Sequence, residues 1–245
     1  MIALVAALFG AVAGAIIGSF LATLILRWPE GRQVTRGRSS CDGCDRTLSP
    51  SELIPLLSRA VLGGKCRSCG EPIDPLHTRV ELTAAVVGGA ALALSPDASG
   101  LALAVFGWLL IPLCWLDWRH FWLPDRLTLL LALTGLVGGG WLGGALVDRL
   151  IGGVAGWGSL GALSLAYRRW RQRDGLGRGD PKLFGAVGLW LGWFPLAPIL
   201  ALAAALGLAI ALRRGLSALD PIPFGPMIGI ASWIAAAGLL AARIS

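Results

Sequence analysis

Eight stretches of the chain are apolar and long enough to be read as membrane-crossing helices, which need about 20 residues each. They run from Ile2 to Leu26, Val80 to Ser95, Gly100 to Leu116, Leu127 to Val147, Leu150 to Tyr167, Leu183 to Trp193, Pro195 to Leu212 and Phe224 to Ala242. The second and sixth are short and require tilt or half-buried ends. If the region from Leu183 to Leu212 breaks differently around Pro195 and Pro198, the count becomes seven. The first stretch has no basic residues ahead of it and several after it, so it reads as a membrane helix rather than a cleaved signal. One long polar block, Arg27 to Thr78, interrupts the pattern and is too small to bury a core without a staple. The pattern thus predicts an all-α polytopic membrane protein with a small cytoplasmic insertion. Residues 1–26 form the first transmembrane helix, 27–79 a cytoplasmic domain, and 80–245 the main transmembrane domain.

Composition removes the alternatives. Of 245 residues, 56% are hydrophobic and 14% charged, against roughly 25% charged in soluble domains. A soluble globular protein, a disordered chain and a disulfide-rich secreted module are all excluded. With eight crossings, 19 of the 21 basic residues fall in the blocks 27–79, 117–126, 168–182 and 213–223, leaving only Arg149 and Arg243 on the other side. Positively charged loops mark the cytoplasmic face, so the N-terminus is expected outside. The same loops account for the net charge of +7, and no nucleic-acid partner is needed to explain it. Arg168, Arg169, Arg171 and Arg173 read as topology anchors, with contact to anionic lipid as an alternative. The 11 tryptophans read as an interfacial belt and bundle filling.

The polar block supplies its own staple. Cys41-Asp-Gly-Cys44 and Cys66-Arg-Ser-Cys69 are two C-x-x-C pairs separated by 21 residues, each beside small or polar neighbours suited to a tight turn. Four thiolates so spaced match a tetrahedral structural zinc site, and a reducing compartment favours metal over disulfide. Two redox or disulfide pairs would require the opposite topology. The fifth cysteine, Cys114, lies in an apolar run and reads as a small buried residue.

The scarce carboxylates carry the candidate chemistry, since each is costly in a membrane unless solvated or paired. Asp117 ends the third run between Trp115 and Trp118, where a carboxylate meets the negative end of a helix dipole. Asp180 closes Gly177-Arg-Gly-Asp180 before the sixth run. Two crossings separate them, so both return to the cytoplasmic end. Asp180, followed by Pro181, also fits a helix N-cap, and so does Asp125 after Pro124. Two carboxylates that share a proton split their pKa values, one activating water while the other polarises a carbonyl. Gly177 and Gly179 would let the backbone lie close to a substrate strand.

With these pieces placed, the chain resembles the bacterial prepilin peptidases, or type IV leader peptidases, of type IV pili and type II secretion. The resemblance rests on Gly18-Ser-Phe-Leu21 with Arg27 and Pro29, on Leu53-Ile-Pro55, Ser58, Gly64-Lys-Cys-Arg-Ser-Cys-Gly70 and Val80-Glu-Leu82. It continues through Asp117, Leu123-Pro-Asp-Arg-Leu-Thr128, Gly177-Arg-Gly-Asp180 with Lys182, and Pro223-Phe-Gly-Pro226. It implies an inner-membrane aspartic peptidase of the G-x-G-D type that cuts prepilins and pseudopilins after a glycine. Many such enzymes then N-methylate the new terminus with S-adenosylmethionine. Carried over, Asp117 and Asp180 are the catalytic pair, and Gly177, Gly179, Asp125 and Lys182 support it. Pro181, Ala22 and Leu76-His-Thr78 depart from the family pattern, the last two in the half linked to methylation. No glycine-rich methyl-donor loop is visible, and Glu81 is the one candidate donor contact. His77 and His120 read as interfacial polar residues, His120 also as a neighbour of Asp117. Two other classes compete: a proton-coupled transporter relaying protons through Asp117 and Asp180, and a zinc-ribbon membrane adaptor with no chemistry. A transporter calls for acids near the midplane and paired halves, but both acids sit at run ends and no repeat is visible.

Overall fold

A computed structural model describes residues 1–34, 38–142, 144–172, 175–217 and 220–244. Arg173, read above as an anchor, lies outside the described residues. Among those described, the secondary structure is helical: α1 (Ile2–Arg27), α2 (Leu57–Val61), α3 (Pro75–Leu94), α4 (Ala98–His120), α5 (Asp125–Leu142), α6 (Leu146–Arg171), α7 (Asp180–Leu191), α8 (Leu196–Arg214) and α9 (Gly225–Ile244). Each of the eight apolar runs becomes one helix, and the short α2 belongs to the polar block. One boundary is corrected: Leu146 and Val147 open α6 rather than closing the fourth run. The helices start where capping chemistry places them. Asp74 accepts the Leu76 N–H ahead of Pro75, and Asp97 accepts the N–H groups of Ser99 and Gly100.

Five helices, α1, α4, α6, α8 and α9, are by themselves long and apolar enough to cross a membrane. The 12-residue α7 rises only about 18 Å, short of a hydrocarbon core of about 30 Å. Ten of its 12 residues are buried, so it is surrounded by protein rather than lipid. The outer face of α1, by contrast, exposes Leu4, Val5, Leu8, Phe9 and Val12, an apolar surface that water would not tolerate.

Small residues bring the helices together, as expected where burial in lipid adds no hydrophobic drive. α1 and α3 run antiparallel with Gly10 against Gly88, Gly14 against Ala84 and Gly18 against Glu81; a Cβ on Gly18 would lie 2.7 Å from the Glu81 Cα. α6 and α7 repeat the device with Gly152 against Gly188 and Gly156 against Phe184. Trp190 fills the centre, stacking at 5.0 Å on Phe106 and donating Nε1–H to the Leu131 carbonyl at 2.8 Å. Trp108 makes the corresponding bond to the Ala84 carbonyl at 2.9 Å, so these two tryptophans are bundle filling. Arg149 is buried rather than free at the far side, and its Nη1 donates to the carbonyls of Gly135 and Leu136 at 2.9 and 3.1 Å.

The contacts between helices bring seven helix ends to one end of the bundle. Arg119 of α4 pairs with Asp74 at the head of α3 at 3.6 Å. Asp125 of α5 meets Lys182 of α7, Gly225 of α9 meets Asp117 of α4, and Arg214 of α8 lies 4.8 Å over the Trp118 ring. The cysteine segment sits at this end too, tied to α1 by Arg27, which binds Asp42 and the Ser40 carbonyl at 2.9 Å each.

Candidate active site

Asp117 lies in the last turn of α4 and is 6% exposed; Asp180 opens α7 and is 3% exposed. Helix α4 runs three residues past Asp117 to His120, so the carboxylate is one turn inside the helix end. Its Oδ2 accepts the Gly225 N–H at 2.8 Å, from a residue 108 positions away. A Cβ at Gly225 would fall 2.8 Å from that oxygen; only a glycine lets the backbone come this close. The Asp180 carboxyl reaches back to the Gly177 N–H at 2.9 Å. This corrects the N-cap reading, because a cap would turn forward to the second or third N–H of its own helix.

Each acid is therefore held by one glycine N–H, and the two lie within electrostatic reach of each other. Gly177 and Gly179 are filled by the protein itself. A Cβ on Gly177 would meet Asp180 Oδ2 at 2.9 Å, and one on Gly179 would meet the Leu123 Cβ at 2.6 Å. Leu123, packed under Gly179, also lines a groove of about 430 Å³ with Trp28, Trp122, Pro124, Asp125 and Arg126. Asp125 does not stand alone as a cap: its Oδ1 receives Lys182 Nζ at 2.6 Å, pinning α5 to α7 beside the two acids. His120 ends α4 at the exposed rim.

Gly225 is a site residue that sequence reasoning missed. Its only signal was the Phe224-Gly-Pro226 segment, legible as a resemblance and silent about which side chain the glycine would face.

The four cysteines form a separate centre. Their Sγ atoms all lie within 4.8 Å of one another, and Cys41 and Cys69 are 3.8 Å apart. A tetrahedron with Zn–S bonds of about 2.3 Å has sulfur separations of about 3.8 Å, so the set fits zinc. It is too open for disulfides, whose sulfurs lie about 2.05 Å apart. The two knuckles are built alike. Cys41 N–H donates to the Arg46 carbonyl and Cys66 N–H to the Glu71 carbonyl, while Asp45 and Gly70 turn the chain with φ of 53° and 74°. Between them Glu52 accepts from Arg46 at 2.6 Å and from the Ser49 N–H at 2.8 Å, contacts that hold its carboxyl down to about 2.

Glu81 is not part of the aspartate site. It is 6% exposed on α3 and its Oε2 accepts the Leu56 N–H at 2.8 Å, holding a residue with a positive φ of 63°. It also lines a cavity of about 380 Å³ between α1, α3 and the cysteine segment, and neither Asp117 nor Asp180 is among the lining residues. His77 faces the same cavity, so it is more than an interfacial residue.

A membrane helix bundle with paired acids at one end and a four-thiol centre beside it defines a candidate membrane aspartic peptidase. The comparisons agree. The family model for the bacterial peptidase A24 N-terminal domain matches residues 12–94, and that for the type IV leader peptidase family matches residues 104–212. A prepilin leader peptidase/N-methyltransferase of Aeromonas hydrophila is 40% identical over 205 residues, covering 81% of this chain and 70% of that protein. Proteins of the same name from Pseudomonas aeruginosa and Burkholderia pseudomallei (strain 1026b) are 34% and 33% identical, covering 91% and 90% of this chain and 87% and 81% of theirs. No solved structure matches the chain. The chain belongs to the type IV leader peptidase family, and it is a peptidase.

Proposed function

We propose that the chain removes the leader peptides of prepilins and pseudopilins, cutting after a glycine with Asp117 and Asp180 as the acid–base pair. The observation that carries this reading is the pairing itself: two buried carboxylates on different helices, each aimed by one glycine N–H. Two such acids share one proton. The ionised member takes a proton from water, and the water oxygen attacks the scissile carbonyl carbon. The protonated member gives its proton to the carbonyl oxygen. Collapse of the tetrahedral intermediate sends a proton to the amide nitrogen and breaks the C–N bond, leaving a leader carboxylate and a free amine. Gly177, Gly179, Asp125 and Lys182 support the pair by fixing α7 against α5. The groove beside Trp28 and Trp122 is the approach for substrate.

In this reading eight helices cross the bacterial inner membrane, α7 as a protein-surrounded member, and the basic end with the dyad faces the cytoplasm. Residues 27–79 form a zinc-stapled cytoplasmic domain, and residues 80–245 the peptidase domain. The substrates are those of type IV pilus assembly or type II secretion. The new amine would then be N-methylated: S-adenosylmethionine, when bound, would supply the methyl group and leave as the thioether S-adenosylhomocysteine while the amine loses a proton.

Coexpression with a prepilin, followed by mass analysis, tests the reading. Wild type removes the leader and Asp117→Asn and Asp180→Asn do not; complete cleavage by either variant overturns the dyad. A further mass gain of one CH₂ in net composition on the mature terminus reports methylation. The transporter alternative has no support in the helix pairing, and an adaptor has no use for two buried acids.

A further inference from the structure

We propose that the apolar patch on residues 53–61, within the polar block, lies in the membrane interface and that its partner is lipid. The inference rests on α1 crossing the membrane and is independent of the peptidase reading. Glu81 Oε2 accepts the Leu56 N–H at 2.8 Å. The Glu81 Cα in turn packs on Gly18 of α1, where a Cβ would fall 2.7 Å from it. Gly18 stands nine residues before Arg27, about 13 Å along the helix axis. Leu56 therefore lies inside the level of Arg27 even with the glutamate fully extended toward it. Leu53, Ser58 and Leu62 border one cavity with Ile16 and Phe20 of α1, and those two belong to its exposed apolar face. The segment thus continues the lipid-facing surface of α1.

The side chains agree with the depth. Leu53, Ile54, Leu57 and Val61 are all exposed, Leu57 by 63% and Val61 by 80%, and so clustered an apolar patch marks a membrane or protein contact. The two charges of the segment are engaged by protein groups. Glu52 accepts from Arg46 at 2.6 Å, and Arg59 Nη1 donates to the Asp74 carbonyl at 2.9 Å. Backbone that enters lipid must satisfy its polar groups internally, and this segment does so at its sharpest bend. Pro55 has no N–H, Leu57 N–H donates to the Pro55 carbonyl at 2.7 Å, and Leu56, at φ 63° and ψ −47°, gives its N–H to Glu81. This is a γ-turn of the rare, strained hand. It opens α2, where Leu57 and Val61 share one face at i, i+4 spacing. An interfacial helix buries such a face about 5–10 Å into the headgroup–acyl boundary. The short helix then seats the four-thiol centre against the membrane plane.

Photo-crosslinking of the full-length protein in nanodiscs of phosphatidylethanolamine and phosphatidylglycerol tests this. Benzoylphenylalanine is placed in turn at Leu57 and at Val61. Phe9, on the exposed face of α1, serves as the lipid reference, and Asp45, exposed in the first cysteine knuckle, as the water reference. After irradiation, mass analysis is expected to find phospholipid adducts at Leu57 and Val61 as at Phe9, and none at Asp45. The melting temperature of each variant reports its fold, and Val61, the more exposed site, carries the test if the Leu57 variant is less stable. Adducts to a second copy of the chain at these two sites, or no adduct there while Phe9 is labelled, overturn the proposal. So does a lipid adduct at Asp45 as strong as that at Val61, because the block would then touch lipid without the patch directing it.

Discussion

Gly225→Ala isolates the positioning of Asp117 from its chemistry, because the carboxylate itself is left untouched. The added Cβ would sit 2.8 Å from Asp117 Oδ2 and 3.2 Å from its Cγ, where ordinary contact begins at 3.4 Å. The carboxylate must therefore move by about 0.6 Å relative to the α9 backbone, stretching or breaking the 2.8 Å bond from the Gly225 N–H. A hydrogen bond to a charged group contributes about 1.5–3 kcal/mol, and misplacement by about 1 Å costs on the order of 10²-fold in rate. The expected result is a fall of roughly 10–100-fold in kcat for prepilin cleavage, with KM little changed. The assay is cleavage of a purified prepilin in nanodiscs, with thermal unfolding as the fold control. Gly161→Ala on α6, where an added Cβ meets nothing within 4 Å, should cleave like wild type. A well-folded Gly225→Ala enzyme cleaving within twofold of wild type would refute the argument that this N–H aims the acid.

Other consequences follow from the same contacts. Asp117→Asn and Asp180→Asn should each lower kcat by roughly 10²–10⁴-fold, the usual contribution of a positioned acid or base, measured in single-turnover cleavage with the melting temperature unchanged or raised. Metal analysis of the purified protein should give about one zinc per chain, and Cys41→Ser should lose it along with the protease resistance of residues 38–73; a zinc-free, resistant preparation would remove the structural role. Arg149→Leu removes the two hydrogen bonds from the guanidinium to the Gly135 and Leu136 carbonyls and should cost about 1–3 kcal/mol, read as a lowered melting temperature. Asp125→Asn weakens an exposed pair worth no more than about 1 kcal/mol, so stability should hardly change, and any loss of cleavage would show that the Lys182 contact orients α7.

Much of this molecule is written in local patterns. Apolar runs report helices because period and length are properties of contiguous residues, and each run became one helix within a few positions. Two C-x-x-C knuckles report a four-sulfur centre because each turn is closed by its own neighbours, and pairing two bidentate knuckles leaves few geometries. The parity of crossings even placed Asp117 and Asp180 at one end. Tertiary structure alone decided what those acids touch. The N–H that holds Asp117 comes from a residue 108 positions away, and Asp180 turns backward to Gly177 where its local sequence fits a forward cap equally well. Likewise, nothing in the neighbourhood of Arg149 or Glu81 says that one is buried on carbonyls and the other lines a cavity. Composition and spacing act through residues adjacent in the chain. A carboxylate's orientation depends on which backbone arrives beside it, and that is set by packing glycines of distant helices against one another.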